Sequence, residues 1–189
     1  GDDLIDGGEG TDILFGVTGN NTIIGGLGGD SITGGDGDDT IEGGQGDDVI
    51  TTGEGNNTVD AGIGFNTITA GAGNDVLTGG AQADTIFGNG GDDTIQGGAG
   101  DDVLDGGEGD NVIVGGAGRD AITAGSGNNR ITGGTPGLTG LDAVGQTLDV
   151  ITLGDGDNIV DGSSGDDSIT VGDGANTIAG GSGSDTIIA

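Results

Sequence analysis

Written in rows of nine, the sequence falls into register almost from end to end: GDDLIDGGE, GTDILFGVT, GNNTIIGGL, GGDSITGGD, and so on to GNNRITGGT at 127–135. Residues 136–146, from Pro136 to Gln146, then intervene, and the register resumes at Thr147 and runs to a shortened last row, GSDTIIA. The fifth place of all twenty rows is aliphatic, from Ile5, Leu14 and Ile23 to Ile187. The third place is always Asp or Asn, the first is Gly except at Gln82 and Thr147, and the seventh and eighth are mostly Gly. A unit of nine residues cannot bury a hydrophobic face by itself, so a chain built this way must stack its units on one another.

The row dictates the local structure. One aliphatic residue between smaller or polar neighbours gives a three-residue alternation, the mark of a short strand with a single side chain turned inward. Glycines at places seven, eight and one permit positive φ and close backbone approach, so the chain turns sharply after each strand. Two rows then complete one coil, and residues eighteen apart stand above one another. The expectation is an all-β solenoid of about ten coils, roughly 48 Å long at the usual strand spacing of ~4.8 Å. We read it as one domain over 1–189: fifteen repeats at 1–135, an inserted loop at 136–146, and five repeats at 147–189.

Composition narrows the function. The net charge is −31, and Arg119 and Arg130 are the only cations. Such charge opposes compaction unless counter-ions neutralise it, and taken alone it would signal disorder. No basic patch exists to meet nucleic acid or an anionic membrane, and no apolar run is long enough for membrane insertion. Catalysis needs residues that depart from the repeat and converge. His, Cys and Lys are absent, the few Ser lack a base partner, and the acids follow the repeat, so no enzyme is expected.

The third place carries the chemistry. Stacked carboxylates ~5 Å apart repel one another unless something sits between them. A hard divalent cation held by oxygen alone answers that repulsion. Calcium accepts six to eight oxygens in loose geometry, backbone carbonyls included, whereas magnesium demands a tighter octahedron. Zinc or copper would call for His or Cys. Multiple calcium ions are therefore the expected cofactor.

The rows Gly43-Gly44-Gln45-Gly46-Asp47-Asp48-Val49-Ile50-Thr51 and Gly97-Gly98-Ala99-Gly100-Asp101-Asp102-Val103-Leu104-Asp105 resemble the repeats-in-toxin (RTX) unit, G-G-x-G-x-D-x-U-x with U aliphatic. The resemblance covers the chain outside the insertion. It implies a parallel β-roll in which Asp from adjacent coils bridges calcium and turn carbonyls complete the shell. It also implies a secreted or cell-surface protein that is disordered without calcium.

Sorting the third place by edge separates two ladders. Even rows give Asp12, Asp30, Asp48, Asn66, Asp84, Asp102, Asp120, Asp149, Asp167 and Asp185. Odd rows give Asp3, Asn21, Asp39, Asn57, Asp75, Asp93, Asn111, Asn129, Asn158 and Asn176. All thirteen Asp are candidate ligands. Asn ligates without charge and so makes weaker sites, or forms an amide ladder that needs no metal. We therefore expect one nearly complete calcium row and one sparse row centred on Asp75 and Asp93. Calcium is expected to be missing or displaced where the insertion enters, between Asp120 and Asp149. Second-place acids such as Asp38, Asp47, Asp92 and Asp101 are expected to be solvated.

Outward Thr on the even strands (Thr33, Thr51, Thr67, Thr69, Thr85, Thr123, Thr152, Thr170, Thr186) suit ice, a polysaccharide or a neighbouring rod, and are also simply good strand residues. Leu138, Leu141 and Val144 of the insertion are expected to cover the core locally. The favoured function is a calcium-binding structural module of an extracellular protein: a spacer, adhesin segment, surface-layer or fibre subunit, with end-to-end or face-to-face homo-assembly. The alternatives are an accessory module of a secreted enzyme or toxin, and ice or polysaccharide binding.

Overall fold

In the computed structural model, which describes residues 1–134 and 148–189, each row contributes one strand, from β1 (Leu4–Glu9) to β20 (Thr186–Ile188). The odd-numbered strands form one ten-stranded sheet in sequence order and the even-numbered strands a second. Every pairing is parallel with a shift of two rows, as in Ile5↔Ile23, Ile23↔Ile41 and Leu14↔Ile32. This is the parallel β-solenoid of about ten coils that the period predicts, and it fits a β-roll.

Place five fills the core in single file. Ile23, Ile41, Val59, Leu77, Ile95, Ile113, Ile131 and Val160 line one sheet, and Ile32, Ile50, Ile68, Ile86, Leu104, Ile122, Ile151 and Ile169 the other, all at most 2 % exposed. They form one continuous cluster. Truncating any of them removes contacts both within its coil and to the coils above and below, at a typical cost of about 2–5 kcal/mol.

Two features differ from the sequence expectation. Many strands are six residues long rather than three: in β5 (Thr40–Gln45) the pairing continues through Gly44↔Gly62 and Gln45↔Ile63. Identical turns stack directly, so the ladder runs on into the turn. Place seven is also a second inward position, buried at Thr52, Ala61, Ala70, Ala124, Leu153 and Val171. Glycine there does not serve the turn, since among the described residues positive φ is confined to places eight and one, as at Gly26 (112°) and Gly28 (114°).

The insertion does not shift the register. Ile122 pairs with Ile151 and Ile131 with Val160, as if the intervening residues were absent. The loop itself, with Leu138, Leu141 and Val144, lies outside the described residues, as does Thr147 after it, and so does the expectation that the loop covers the core. The outward Thr column of the even sheet proves discontinuous. Thr33, Thr51 and Thr69 stack, Phe87 and Asp105 interrupt, and Thr123, Thr152 and Thr170 stack again.

Candidate metal-binding edges

Each third-place residue sits between a turn and the strand that follows it, where its backbone is already committed. Its carbonyl accepts from the place-four N–H of the next coil, as Asp30 does from Val49 at 2.8 Å. Its N–H donates to the side-chain Oδ1 of the third-place residue one coil on. On the even edge this rung runs from Asp12 to Asp30, from Asp30 to Asp48 and from Asp84 to Asp102, each at 2.8 Å. It crosses the insertion from Asp120 to Asp149 at 2.9 Å and continues to Asp167 and Asp185. The odd edge has the same rungs, from Asp3 through Asn21 to Asp39 and from Asp75 to Asp93.

That geometry uses one oxygen of each carboxylate and leaves the other. The Oδ2 atoms of Asp12, Asp30, Asp39, Asp48, Asp75, Asp84, Asp93, Asp102, Asp120 and Asp167 are buried and have no hydrogen-bond partner. Native proteins hold only a few buried unsatisfied polar atoms per hundred residues, and a buried anionic oxygen is among the most costly. A set of ten, all at the same place of the repeat, calls for a common partner. Of the remaining candidates, Asp149 is buried, Asp185 half-buried and Asp3 exposed.

The Asn coils show what that partner must resemble. Asn111 donates from Nδ2 to the carbonyls of Gly107 and Gly109, both at 3.3 Å, and Asn129 to Gly125 and Gly127, both at 3.2 Å. Asn21, Asn57 and Asn66 likewise donate to the glycine carbonyl two residues upstream. Because Oδ1 is held by a backbone N–H, the amide nitrogen is the atom turned toward the turn. In the Asp coils an oxygen takes its place: Nδ2 of Asn21 and Oδ2 of Asp30 both stand 2.6 Å from where a Cβ would lie on the preceding place-seven glycine. A second oxygen, the Gly43 carbonyl of the next coil, lies 2.5 Å from that same point at Gly25. An amide supplies hydrogens to this ring of acceptors; a carboxylate requires a cation.

The electrostatics agree. Burial raises the pKa of Asp84, Asp93 and Asp102 to about 6 and that of Asp120 to about 7, with neighbouring carboxylates adding to the rise. Asp48, Asp75 and Asp167 are raised by the same cause. Among the described residues, no three acidic side chains gather in one cluster suited to a metal. Any ion here would therefore be completed by backbone carbonyls or water, an all-oxygen environment that suits calcium.

Second-place acids lie outside this system. They are exposed, and their Oδ1 atoms accept from the place-two N–H of the following coil, as Asp38 does from Asn56 at 2.8 Å and Asp92 from Asp110 at 2.8 Å. This outer ladder runs in the opposite sense to the inner one. Sequence reasoning found the third place but missed the inward seventh place beside it, which as glycine carries no apolar signal.

A search of curated proteins returns no match. The family model for the RTX calcium-binding nonapeptide repeat matches residues 1–23, 15–50, 51–86, 78–113, 87–122, 105–135 and 149–187. Those segments take in nearly the whole chain, and their third-place residues are the ones that form the two inner ladders. The chain belongs to the RTX calcium-binding nonapeptide-repeat family.

Proposed function

We propose that this calcium-binding repeat module is a structural rod whose folding is driven by several calcium ions along its turns. The ligands on the even edge are Asp12, Asp30, Asp48, Asp84, Asp102, Asp120, Asp149, Asp167 and Asp185. On the odd edge Asp75 and Asp93 are the only adjacent pair of third-place carboxylates, with Asp39 isolated between Asn neighbours and Asp3 beside Asn21 alone. The observation that carries the reading is the set of buried Oδ2 atoms without partners. Calcium supplies the positive charge and flexible oxygen coordination that those atoms lack; the chain supplies carboxylates at a fixed coil spacing and carbonyls fixed by the turns.

The ion supports an extracellular or cell-surface setting, and the stacked repeat supports a rod that acts there as a spacer, adhesin segment or assembly subunit. Modules of this kind load in the range of roughly 0.1–1 mM calcium, which is met outside cells. Among the described residues, no helix is long and apolar enough to cross a membrane. A non-catalytic role is supported by acids that follow the repeat. The breaks at Phe87 and Asp105 weigh against a single flat Thr array for ice or polysaccharide.

Circular dichroism during a calcium titration tests the proposal. A coil spectrum in chelator should give way cooperatively to β-structure as calcium rises, and magnesium should not substitute. A chain that keeps its β-signal in excess EDTA would overturn it.

A further inference from the structure

Place seven is glycine in most rows, yet its φ is never positive. The backbone there would accept any residue, so the glycine must be kept for space. What it leaves empty is the ground beside the third-place carboxylate. A Cβ on Gly43 would stand 2.6 Å from both Asp48 Oδ2 and the Ala61 carbonyl of the next coil, and one on Gly162 would stand 2.5 Å from Asp167 Oδ2 and the Gly180 carbonyl. Such distances are closer than real Cβ atoms come.

The sequence respects this boundary. Ahead of a third-place residue, place seven carries a side chain six times, and in five of these that third-place residue is Asn: Thr52 before Asn57, Ala61 before Asn66, Ala124 before Asn129, Leu153 before Asn158, Val171 before Asn176. Ala70 before Asp75 is the exception. The backbone responds in four of the six turns. Place eight has positive φ in most rows, but Gly71, Gly125, Gly154 and Gly172, which follow Ala70, Ala124, Leu153 and Val171, do not, whereas Gly53 and Gly62, which follow Thr52 and Ala61, keep it at 94° and 93°. Where Asn follows such a turn, its Nδ2 meets two carbonyls, as Asn158 does with Gly154 at 3.3 Å and Gly156 at 3.1 Å.

We propose that the place-seven residue decides, together with place three, whether a turn takes calcium. Gly with Asp leaves room for an ion; a side chain with Asn closes the turn with an amide and needs none. This inference rests on the calcium reading above and refines it. Asp93, with Gly88 behind it, keeps an open site, whereas Asp75, with Ala70 behind it, has the carboxylate without the room and is the one buried Oδ2 of the ten that is left without an ion. The rod therefore carries ion-free turns chiefly on one edge, where Asn129, Asn158 and Asn176 follow one another.

The test counts calcium ions bound per chain, by equilibrium dialysis against calcium chloride followed by metal analysis, with circular dichroism in calcium confirming the fold. Asn21→Asp, which has Gly16 behind it and Asp39 in the next coil, should gain one ion. Asn57→Asp, which has Thr52 behind it and Asp75 in the next coil, should gain none and should melt lower. Adding Thr52→Gly to Asn57→Asp should restore the gain. Ala70→Gly, which leaves both ladders untouched and so keeps the test alive if Asn57→Asp does not fold, should also gain one. An ion gained by Asn57→Asp alone, no gain in Asn21→Asp, or no gain in Ala70→Gly would overturn the inference. A parent chain that binds no calcium would instead overturn the reading on which it rests.

Discussion

The two edges of the rod share backbone, spacing and rung geometry, yet they resolve the same problem in different ways. On the even edge nine of ten third-place residues are Asp, and most leave a buried oxygen without a partner. On the odd edge, from Asn111 through Asn129 and Asn158 to Asn176, amides close every turn with hydrogen bonds of their own. One atom separates the two solutions, an oxygen where the other edge has an NH₂. The lesson is that a solenoid edge can be fastened by hydrogen bonds alone, and that, on the function proposed above, the carboxylates mark where folding is conditional on a solute.

The comparison breaks most visibly when the ion is withdrawn. Chelation should collapse the β-signal of the whole rod, because the even edge cannot hold its carboxylates together and the two sheets share one core. Survival of the even edge in EDTA, read by amide hydrogen exchange, would erase the distinction. A smaller contrast lies between Asp102→Ala and Asn129→Ala. The first should raise the calcium midpoint of folding without leaving a buried donor unpaired beyond the Asp84 N–H. The second removes the acceptor of the Asn111 N–H and two donated bonds, and should cost about 2–3 kcal/mol in calcium-saturated urea melts. Equal calcium dependence in the two variants would count against separate roles for the edges.

Acidity offers a finer probe. Asp84, Asp93 and Asp102 have folded pKa values of about 6 and Asp120 of about 7, all above the unfolded value near 3.8. A raised folded pKa means that the contribution is fully present below the unfolded value and is lost as pH rises through the folded one. In chelator, lowering the pH from 8 toward 4 should therefore recover β-structure, with protons standing in for the missing ion. With calcium present the same acidification should weaken loading, since proton and ion compete. Three of these four groups are on the even edge, so Asp102→Asn with Asp120→Asn should flatten the chelator profile, and an unchanged profile would place the titration elsewhere.

The smallest effect concerns a single turn. Val17 occupies place eight at a φ of 77°, a region that β-branched residues enter only with strain. Val17→Gly should stabilise the first coils by about 1 kcal/mol in calcium-saturated melts, and a loss of stability would show that the strain is not there.

Much of this was legible in the sequence. The fixed aliphatic fifth place gave the core file from Ile23 to Ile169, and the parity of the third place gave the difference between edges. What stayed hidden depends on atoms rather than residue types. Gly25 and Gly26 are identical in sequence, but one faces inward without positive φ while the other turns the chain at 112°. Asp47 and Asp48 are likewise neighbours of one kind. The inner one reaches back a coil to the Asp30 N–H, and the outer one reaches forward to Phe65. Periodicity locates such residues but does not say which way a carboxylate bends.

The uninterrupted rung from Asp120 to Asp149 spans 29 positions where its neighbours span 18. The architecture thus counts coils and is indifferent to the length of chain spent between them. Lengthening a detour at a corner adds only the slowly growing entropy of a longer loop, about 0.6 kcal/mol per doubling. The margins of this rod are natural ports for foreign peptide, where a graft can be displayed while the stacked interior beneath it stays in step.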